Sequence, residues 1–209
     1  MLGRFDEARA ILADARAELA ERGGGIVLAA MTCHEFVDLE LCAGDPADAV
    51  EFGEEGCRLL DELGEQSLLS TAAGKLAQAL YTLDRLEEAD AWAGRAAELS
   101  ASDDALTQML WRQVRAKVLA HHGETGEAER LAREAVAVGS ETDLVNSRGD
   151  AHSDLAEVLE LAARRDEAAV EVEKALALYE RKGNIVMTER CRASLQELKS
   201  ASASQNSPR

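Results

Sequence analysis

A two-residue pattern, an acidic side chain followed by alanine, recurs along this chain at an interval of about 40 residues. It appears at Glu7-Ala8, Asp48-Ala49, Glu88-Ala89, Glu127-Ala128 and Glu167-Ala168. The five alanines are 41, 40, 39 and 40 residues apart. A fixed period of this length is typical of proteins built from stacked copies of one supersecondary unit, so it constrains the fold more than any other feature of the sequence.

A small residue follows each of these alanines after seven positions: Ala15, Gly56, Ala96, Ala135 and Ala175. Seven residues make about two helical turns, so both small residues of a repeat lie on one face of a helix. Small side chains on that face allow a neighbouring helix to approach closely. Each period therefore contains two helices: a first helix before the acidic-alanine pair and a second helix that includes it.

Turn residues support the same register. Gly3, Gly44 and Gly123 stand five residues before their alanines, where a glycine can end the preceding helix in the left-handed conformation. Asp45 is then predicted to cap the next helix, with Pro46 at its first position. The corresponding turns at Asp84 and Ala163 lack glycine and give a weaker signal.

Composition indicates that both elements of each repeat are helices. Aromatic residues make up only 3% of the chain, and Pro46 and Pro208 are its only prolines. Strands need β-branched and aromatic side chains, whereas alanine with Leu, Glu and Arg favours helix. The predicted helices cover 4–22, 25–43, 46–63, 66–83, 86–99, 103–122, 126–139, 143–162, 165–181 and 184–198.

The predicted fold is therefore all-α: a right-handed α-solenoid of about ten antiparallel helices, with repeats of about 40 residues. Four complete helix pairs are flanked by a half-repeat at each end. One helical repeat domain is expected over 1–199, followed by a disordered tail over 200–209.

Charge and hydropathy exclude several classes of function. The formal net charge of −17 disfavours direct binding to nucleic acid and to anionic membranes. No apolar run is long enough to cross a membrane, and the N-terminus shows no signal peptide. The cysteines (Cys33, Cys42, Cys57 and Cys191) lack close paired spacing, so we expect reduced thiols and a cytoplasmic protein.

The two ends of the array differ in polarity. The first helix carries Leu2, Phe5, Ile11 and Leu12, so its uncovered face is expected to be apolar and to favour self-association. The last helix, over 184–198, is mostly polar and suits a capping element.

Candidate catalytic and metal-binding residues are isolated. Gly74-Lys75 is followed by Leu76, so it does not complete a phosphate-binding loop. Cys33-His34 and His121-His122 lack two further ligands at local spacing. His152 would need a partner and a pocket to act as a general base. We therefore expect no catalytic residue, no metal and no cofactor, and a chain that is not an enzyme.

Helix pairs with small residues seven apart resemble the tetratricopeptide repeat (TPR), although the period is longer and most of the aromatic and proline positions of the TPR are absent. The chain also resembles the MalT-like C-terminal TPR region of actinobacterial regulators that carry a LuxR-type DNA-binding or an adenylate/guanylate cyclase domain with an ATPase module. This resemblance covers about residues 3 to 197. It is carried by Leu68-Leu69-Ser70-Thr71-Ala72-Ala73, Leu110-Trp111-Arg112-Gln113-Val114-Arg115-Ala116, Asp154-Leu155-Ala156-Glu157-Val158-Leu159 and Leu178-Tyr179-Glu180-Arg181-Lys182-Gly183-Asn184.

The resemblance implies a concave groove lined by the first helices. Transferred through the repeat register, it places a mixed polar set there: Met31, His34, Asp38, Gln78, Tyr81, Gln113, Lys117, Asp150, Ser153 and Glu157. The implied function is a non-enzymatic protein–protein interaction or regulatory module, the C-terminal part of a larger signalling or transcriptional regulator. It would bind a protein or peptide, or other domains of a longer chain. The alternative is a solenoid that senses a metabolite in its groove.

Overall fold

The computed structural model describes residues 2–205, with side chains described as far as Ser200, and all regular structure in that range is helical. The segments are α1 Phe5–Glu21, α2 Gly25–Met31, a π-helical segment Thr32–Phe36, α3 Val37–Ala43, α4 Pro46–Glu62, α5 Gln66–Thr82, α6 Leu86–Leu99, α7 Ala105–His121, α8 Thr125–Ser140, α9 Val145–Leu161, α10 Arg165–Lys182 and α11 Ile185–Gln205. The prediction of an all-α chain is confirmed.

The π-helical segment joins α2 to α3 without a break, so residues 2–205 contain ten continuous helices. Nine of the predicted spans agree with them to within two residues at each end. The last helix continues to Gln205 instead of ending near 198. The disordered tail over 200–209 stays a prediction, because 206–209 lie outside the described residues, and so does the single domain over 1–199.

The helices belong to two compact units, and the division falls inside α7. In the unit of residues 3–114, α4 packs against α2, α3 and α5, and α5 packs against α6. In the unit that begins at Arg115, α9 packs against α8 and α10, and α10 packs against α11. Short antiparallel pairs therefore build both units.

In four of the five repeats the small residues are buried at helix contacts, as predicted, whereas Ala8 and Ala15 of the first repeat are only half-buried. Ala49, Ala89, Ala128 and Ala168 have no exposed surface, and Gly56, Ala96, Ala135 and Ala175 are also buried. At Gly56 the α4 backbone comes so close to α2–α3 that an added Cβ would lie 2.3 Å from the Cβ of Cys33. A larger side chain at this position would separate the two helices.

The turns between first and second helices keep one backbone geometry whatever residue occupies them. Gly3, Gly44 and Gly123 have positive φ, and so do Asp84 (φ 59°) and Ala163 (φ 60°). Because a left-handed residue with a Cβ costs about 1–2 kcal/mol, the stacking of the helices overrides local preference there.

Asp45 occupies the N-cap position of α4, as predicted, but its side chain does not make the capping hydrogen bond. Pro46 occupies the first helical position. Its carboxylate instead accepts a hydrogen bond from Arg9 on α1, which also binds Glu40 on α3. A charged partner from another helix therefore competes successfully with the local cap.

None of the helices within residues 2–205 is both long and apolar enough to cross a membrane.

The close contact at Gly56 predicts a large loss of stability for Gly56→Ala. The new methyl group would collide with the Cβ and backbone nitrogen of Cys33, and overpacking of this kind costs about 1–3 kcal/mol or more. The control is Gly94→Ala on α6, where nothing lies within 4 Å of the added Cβ. That change should stabilise the protein by about 0.5–1 kcal/mol, because glycine weakens a helix. Urea unfolding of both variants measures the two effects, and equal effects would contradict close packing at Gly56.

Candidate interaction site on the first helices

A buried lysine organises the first helices of the unit formed by residues 3–114. Lys75 is the only charged residue of α5, and it is 8% exposed. Its Nζ donates a hydrogen bond to Oδ1 of Asp38 on α3. A buried ammonium must be paired, so this contact fixes one first helix against the next. Asp38, which was predicted from the sequence, is on the exposed end of the pair.

His34 lies near this pair. Burial and the Lys75 ammonium lower the pKa of His34, although the Asp38 carboxylate raises it, so the imidazole is neutral at pH 7. The Nε2 atom of His34 is buried and has no hydrogen-bond partner among the described residues. The structure thus brings the predicted residues His34 and Asp38 to the same lysine.

Gln113 on α7 contains a second unpartnered nitrogen. The side chain is 1% exposed, and its Nε2 makes no hydrogen bond to any described residue. A buried, unpaired amide costs about 1–3 kcal/mol. The predicted groove residues Gln78 and Tyr81 on α5 are half-buried. Thr71 and Thr107 join α5 to α7 through their hydroxyl groups, 2.8 Å apart.

Lys117 is the corresponding buried cation in the unit that begins at Arg115. It is 7% exposed, and its Nζ donates to Oδ1 of Asp154 at 2.8 Å and lies 4.0 Å from Oε2 of Glu157. Burial lowers the pKa of Lys117, but the carboxylates of Asp154 and Glu157 raise it by more. Burial also raises the pKa of Asp154 above its ordinary value despite the nearby ammonium. Asp154 and Glu157 share the single ammonium of Lys117, so carboxylates outnumber cations in this cluster.

Asp150 and Ser153 take part in a second polar group of the same unit. The hydroxyl of Tyr179 on α10 donates to Oδ1 of Asp150 at 2.6 Å, and burial raises the pKa of Tyr179. The Tyr179 ring fits against Gly149, where a Cβ would come within 2.6 Å of it. Ser153 is hydrogen-bonded to the side chains of both Tyr179 and Cys191. Asp150, on the first helix α9, therefore anchors a core tyrosine.

A cavity of about 250 Å³ opens between α9, α10 and α11. We call it the α9–α11 cavity. The predicted residues Ser153 and Glu157 line it, together with Ala156, Glu160, Val172, Met187, Arg190, Cys191, Ser194 and Leu198. Two of the residues predicted to bind a partner thus border a hollow of the size of one side chain.

Sequence reasoning missed Lys75, Asp154 and the contribution of α11. Lys75 had a detectable signal, because a lone charge in an otherwise uncharged helix needs a partner. Asp154 lies one position after the predicted groove residue Ser153, so the repeat pattern does not predict it to face the groove. Arg190 and Ser194 belong to the last helix, which the sequence predicts to be a polar end cap, and the sequence does not show that they line a cavity.

His152 and Cys33 are engaged in packing, whereas His121 and His122 are exposed at the end of α7 and just beyond it. His152 Nδ1 lies 2.7 Å from Oε2 of Glu171, which also accepts a hydrogen bond from Lys174. Burial raises the pKa of the Cys33 thiol to about 12, so this thiol is a poor nucleophile. No group of three or more His, Cys, Asp or Glu residues within the described part of the chain is arranged to hold a metal ion.

Two solved structures share this arrangement of helices. One is a crystal structure of a variant of a putative kinesin light chain with nearly identical TPR-like repeats from Podosopora anserina, with 19% identity, a TM-score of 0.56, and coverage of 87% of this chain and 90% of that one. The other is BtubC (BKLC) from P. vanneervenii, with 17% identity, a TM-score of 0.56, and coverage of 99% and 93%. Neither a protein-family model nor a curated protein matches the sequence. The fold is a TPR-like helical repeat.

The buried cluster predicts a severe effect for Lys117→Met. Removal of the ammonium leaves Asp154 and Glu157 without their shared cation, and loss of one partner of a buried pair costs about 3–5 kcal/mol. The double variant Lys117→Met/Asp154→Leu should recover part of that loss. The control Arg58→Met removes an exposed pair with Glu62, which is worth at most about 1 kcal/mol. Urea unfolding distinguishes the cases, and a loss below about 1 kcal/mol for Lys117→Met would contradict burial of the pair.

Proposed function

We propose that this chain is a non-enzymatic, cytoplasmic protein-interaction module that binds a protein segment along its first helices. The observation that carries the proposal is the concentration of buried polar groups on those helices. The buried side chains of Lys75, Lys117 and Gln113, and the buried Nε2 atom of His34, interrupt otherwise apolar packing, although an apolar face would be more stable. Polar groups kept at such a cost suit the recognition of another polar chain.

We also propose that the chain acts as the regulatory C-terminal part of a larger signalling or transcriptional protein. The support is its resemblance to the TPR regions of such regulators. Binding of a segment would then be relayed to domains elsewhere on the longer chain. The net charge of −17 argues against direct contact with nucleic acid or with an anionic membrane.

The alternative is a metabolite sensor, and the α9–α11 cavity is the observation that favours it. Its volume of about 250 Å³ lies below the range of roughly 300–1,000 Å³ for pockets that enclose drug-sized ligands. A partner's side chain therefore fits the cavity better than a metabolite does. A metabolite that binds only the native state would raise the unfolding midpoint, which distinguishes the two functions.

Site-specific photocrosslinking in the source cells tests the interaction module. The crosslinking amino acid p-benzoylphenylalanine replaces Gln78 on the first-helix face, and in the control it replaces Ala91, which is exposed on α6. We expect one discrete crosslinked protein from Gln78 and none from Ala91. Equal crosslinking at the two positions, or none at Gln78, would contradict the proposal.

The unirradiated sample of the same experiment, probed with an antibody against this chain, gives the size of the native protein. A band well above 22.4 kDa supports the larger regulator, and a band near that mass contradicts it.

Self-association through α1 is a separate expectation. Helix α1 buries none of its residues completely; Ile11 is 62% exposed, and Val27 on the adjacent α2 is 58% exposed. We expect the average mass of the isolated chain in light scattering to rise with concentration. Ile11→Glu should suppress this rise, and Glu7→Gln, at another exposed position of the same helix, should not. A strict monomer at high concentration would disprove the expectation.

A further inference from the structure

The α9–α11 cavity has an apolar part and a charged part. Ala156, Val172 and Leu198 line it and are buried, so they offer hydrocarbon contacts. Glu157 and Glu160 line it from α9 and are more accessible: Glu157 is half-buried and Glu160 is exposed. An occupant that suits both parts has an apolar stem and a polar end.

The charged residues on and beside the cavity wall determine whether the polar end of the occupant should be positive or negative. Glu157 and Glu160 line the cavity, and Asp150 and Asp154 precede them on α9 outside the lining. The four acids follow one another at spacings of four, three and three residues, which places them along one side of the helix. Two cations lie among them. Lys117 is closest to Asp154, and Arg190 lines the cavity from α11. The carboxylates outnumber the cations, so the local field attracts positive charge and disfavours an acidic side chain.

The size of the cavity limits the occupant to about one side chain. Lysine and arginine combine a flexible hydrocarbon stem with a cationic head, and they commonly bury the stem while the head remains near water. Glu157 and Glu160 are three residues apart on a helix, so they are neighbours and both can reach one cation.

We propose that the α9–α11 cavity is a specificity pocket for a lysine or arginine side chain of the partner protein. The stem packs against Val172 and Leu198, and the cationic head pairs with Glu157 and Glu160. This proposal rests on the proposed interaction function and adds to it the chemistry of the partner: a segment with a basic residue at the position that meets α9 and α11.

Small side-chain mimics test the pocket without a known partner. The full chain carries ¹³C-methyl methionine, because Met187 lines the cavity whereas Met109 is buried in the other unit and serves as an internal reference. The probes are n-butylammonium and n-butylguanidinium chloride, neutral 1-pentanol and sodium pentanoate, all at matched ionic strength. We expect a saturable shift of the Met187 methyl signal with both cations, with an affinity at least threefold higher than for 1-pentanol, and no saturable shift with pentanoate.

Two variants check the role of charge. Glu160→Gln should weaken cation binding about threefold to tenfold, because it removes a charged hydrogen-bond acceptor. The matched control Glu189→Gln, at an exposed position of α11 outside the cavity lining, should leave the affinity unchanged. Arg190→Gln should strengthen cation binding, because it removes a competing positive charge.

Each other outcome overturns the proposal. Equal responses to the cations and 1-pentanol would show a merely apolar cavity, stronger binding of pentanoate would show an anion site, and no response of Met187 would show a closed one. These results leave the crosslinking at Gln78 unaffected, because Gln78 belongs to the unit of residues 3–114. A response of Met187 to cations without crosslinking at Gln78 would instead retain the pocket and remove the interaction function.

Discussion

Close approach of helices at small residues is the constraint on which the structure depends. The contact between Gly56 and Cys33 leaves no room for a methyl group, and Gly149 leaves none in front of the Tyr179 ring. Alanine occupies the equivalent buried positions elsewhere, at Ala96, Ala135 and Ala175. Because the helices meet through their backbones, few large side chains are needed, which accounts for a packed core in a chain of which only 3% is aromatic.

A core of small side chains packs closely, but it does little to favour one alignment of neighbouring helices over another. The buried ion pairs favour the observed alignment. Asp38–Lys75 and Lys117–Asp154 each join first helices of neighbouring repeats and each span 37 residues of sequence. The acid precedes the lysine in one pair and follows it in the other. A helix that slipped by one turn would bury an unpaired charge, so these pairs penalise misalignment more than they add stability.

The sequence predicted the helices well because the signals for them are local and repeated. The spacing of the acidic-alanine pairs located every second helix, and the resulting register extended to turns without glycine at Asp84 and Ala163. It failed where long-range contacts decide the outcome. Arg9 draws the Asp45 carboxylate away from its helix, and the shape of the α9–α11 cavity depends on α11 side chains whose packing has no periodic signature. Of the predicted groove residues, His34, Asp38, Lys117 and Glu157 lie near buried lysines or are such lysines, but nothing in the sequence named Lys75 or Asp154 as partners.

The left-handed turn at Ala163 also bears on how this protein can change over generations. Its backbone suits glycine, and the carbonyl of Leu159 still accepts a hydrogen bond from the backbone of Arg164 at 2.8 Å, so the geometry is complete without glycine. An alanine in this conformation means that the chain holds less stability than its own backbone would allow. Natural proteins are selected only to stay above the stability that their function needs, so a residue of this kind can persist. A change to glycine at such a turn can therefore raise the stability of the protein. That gain can offset a destabilising substitution on the first helices, where new binding specificity would arise.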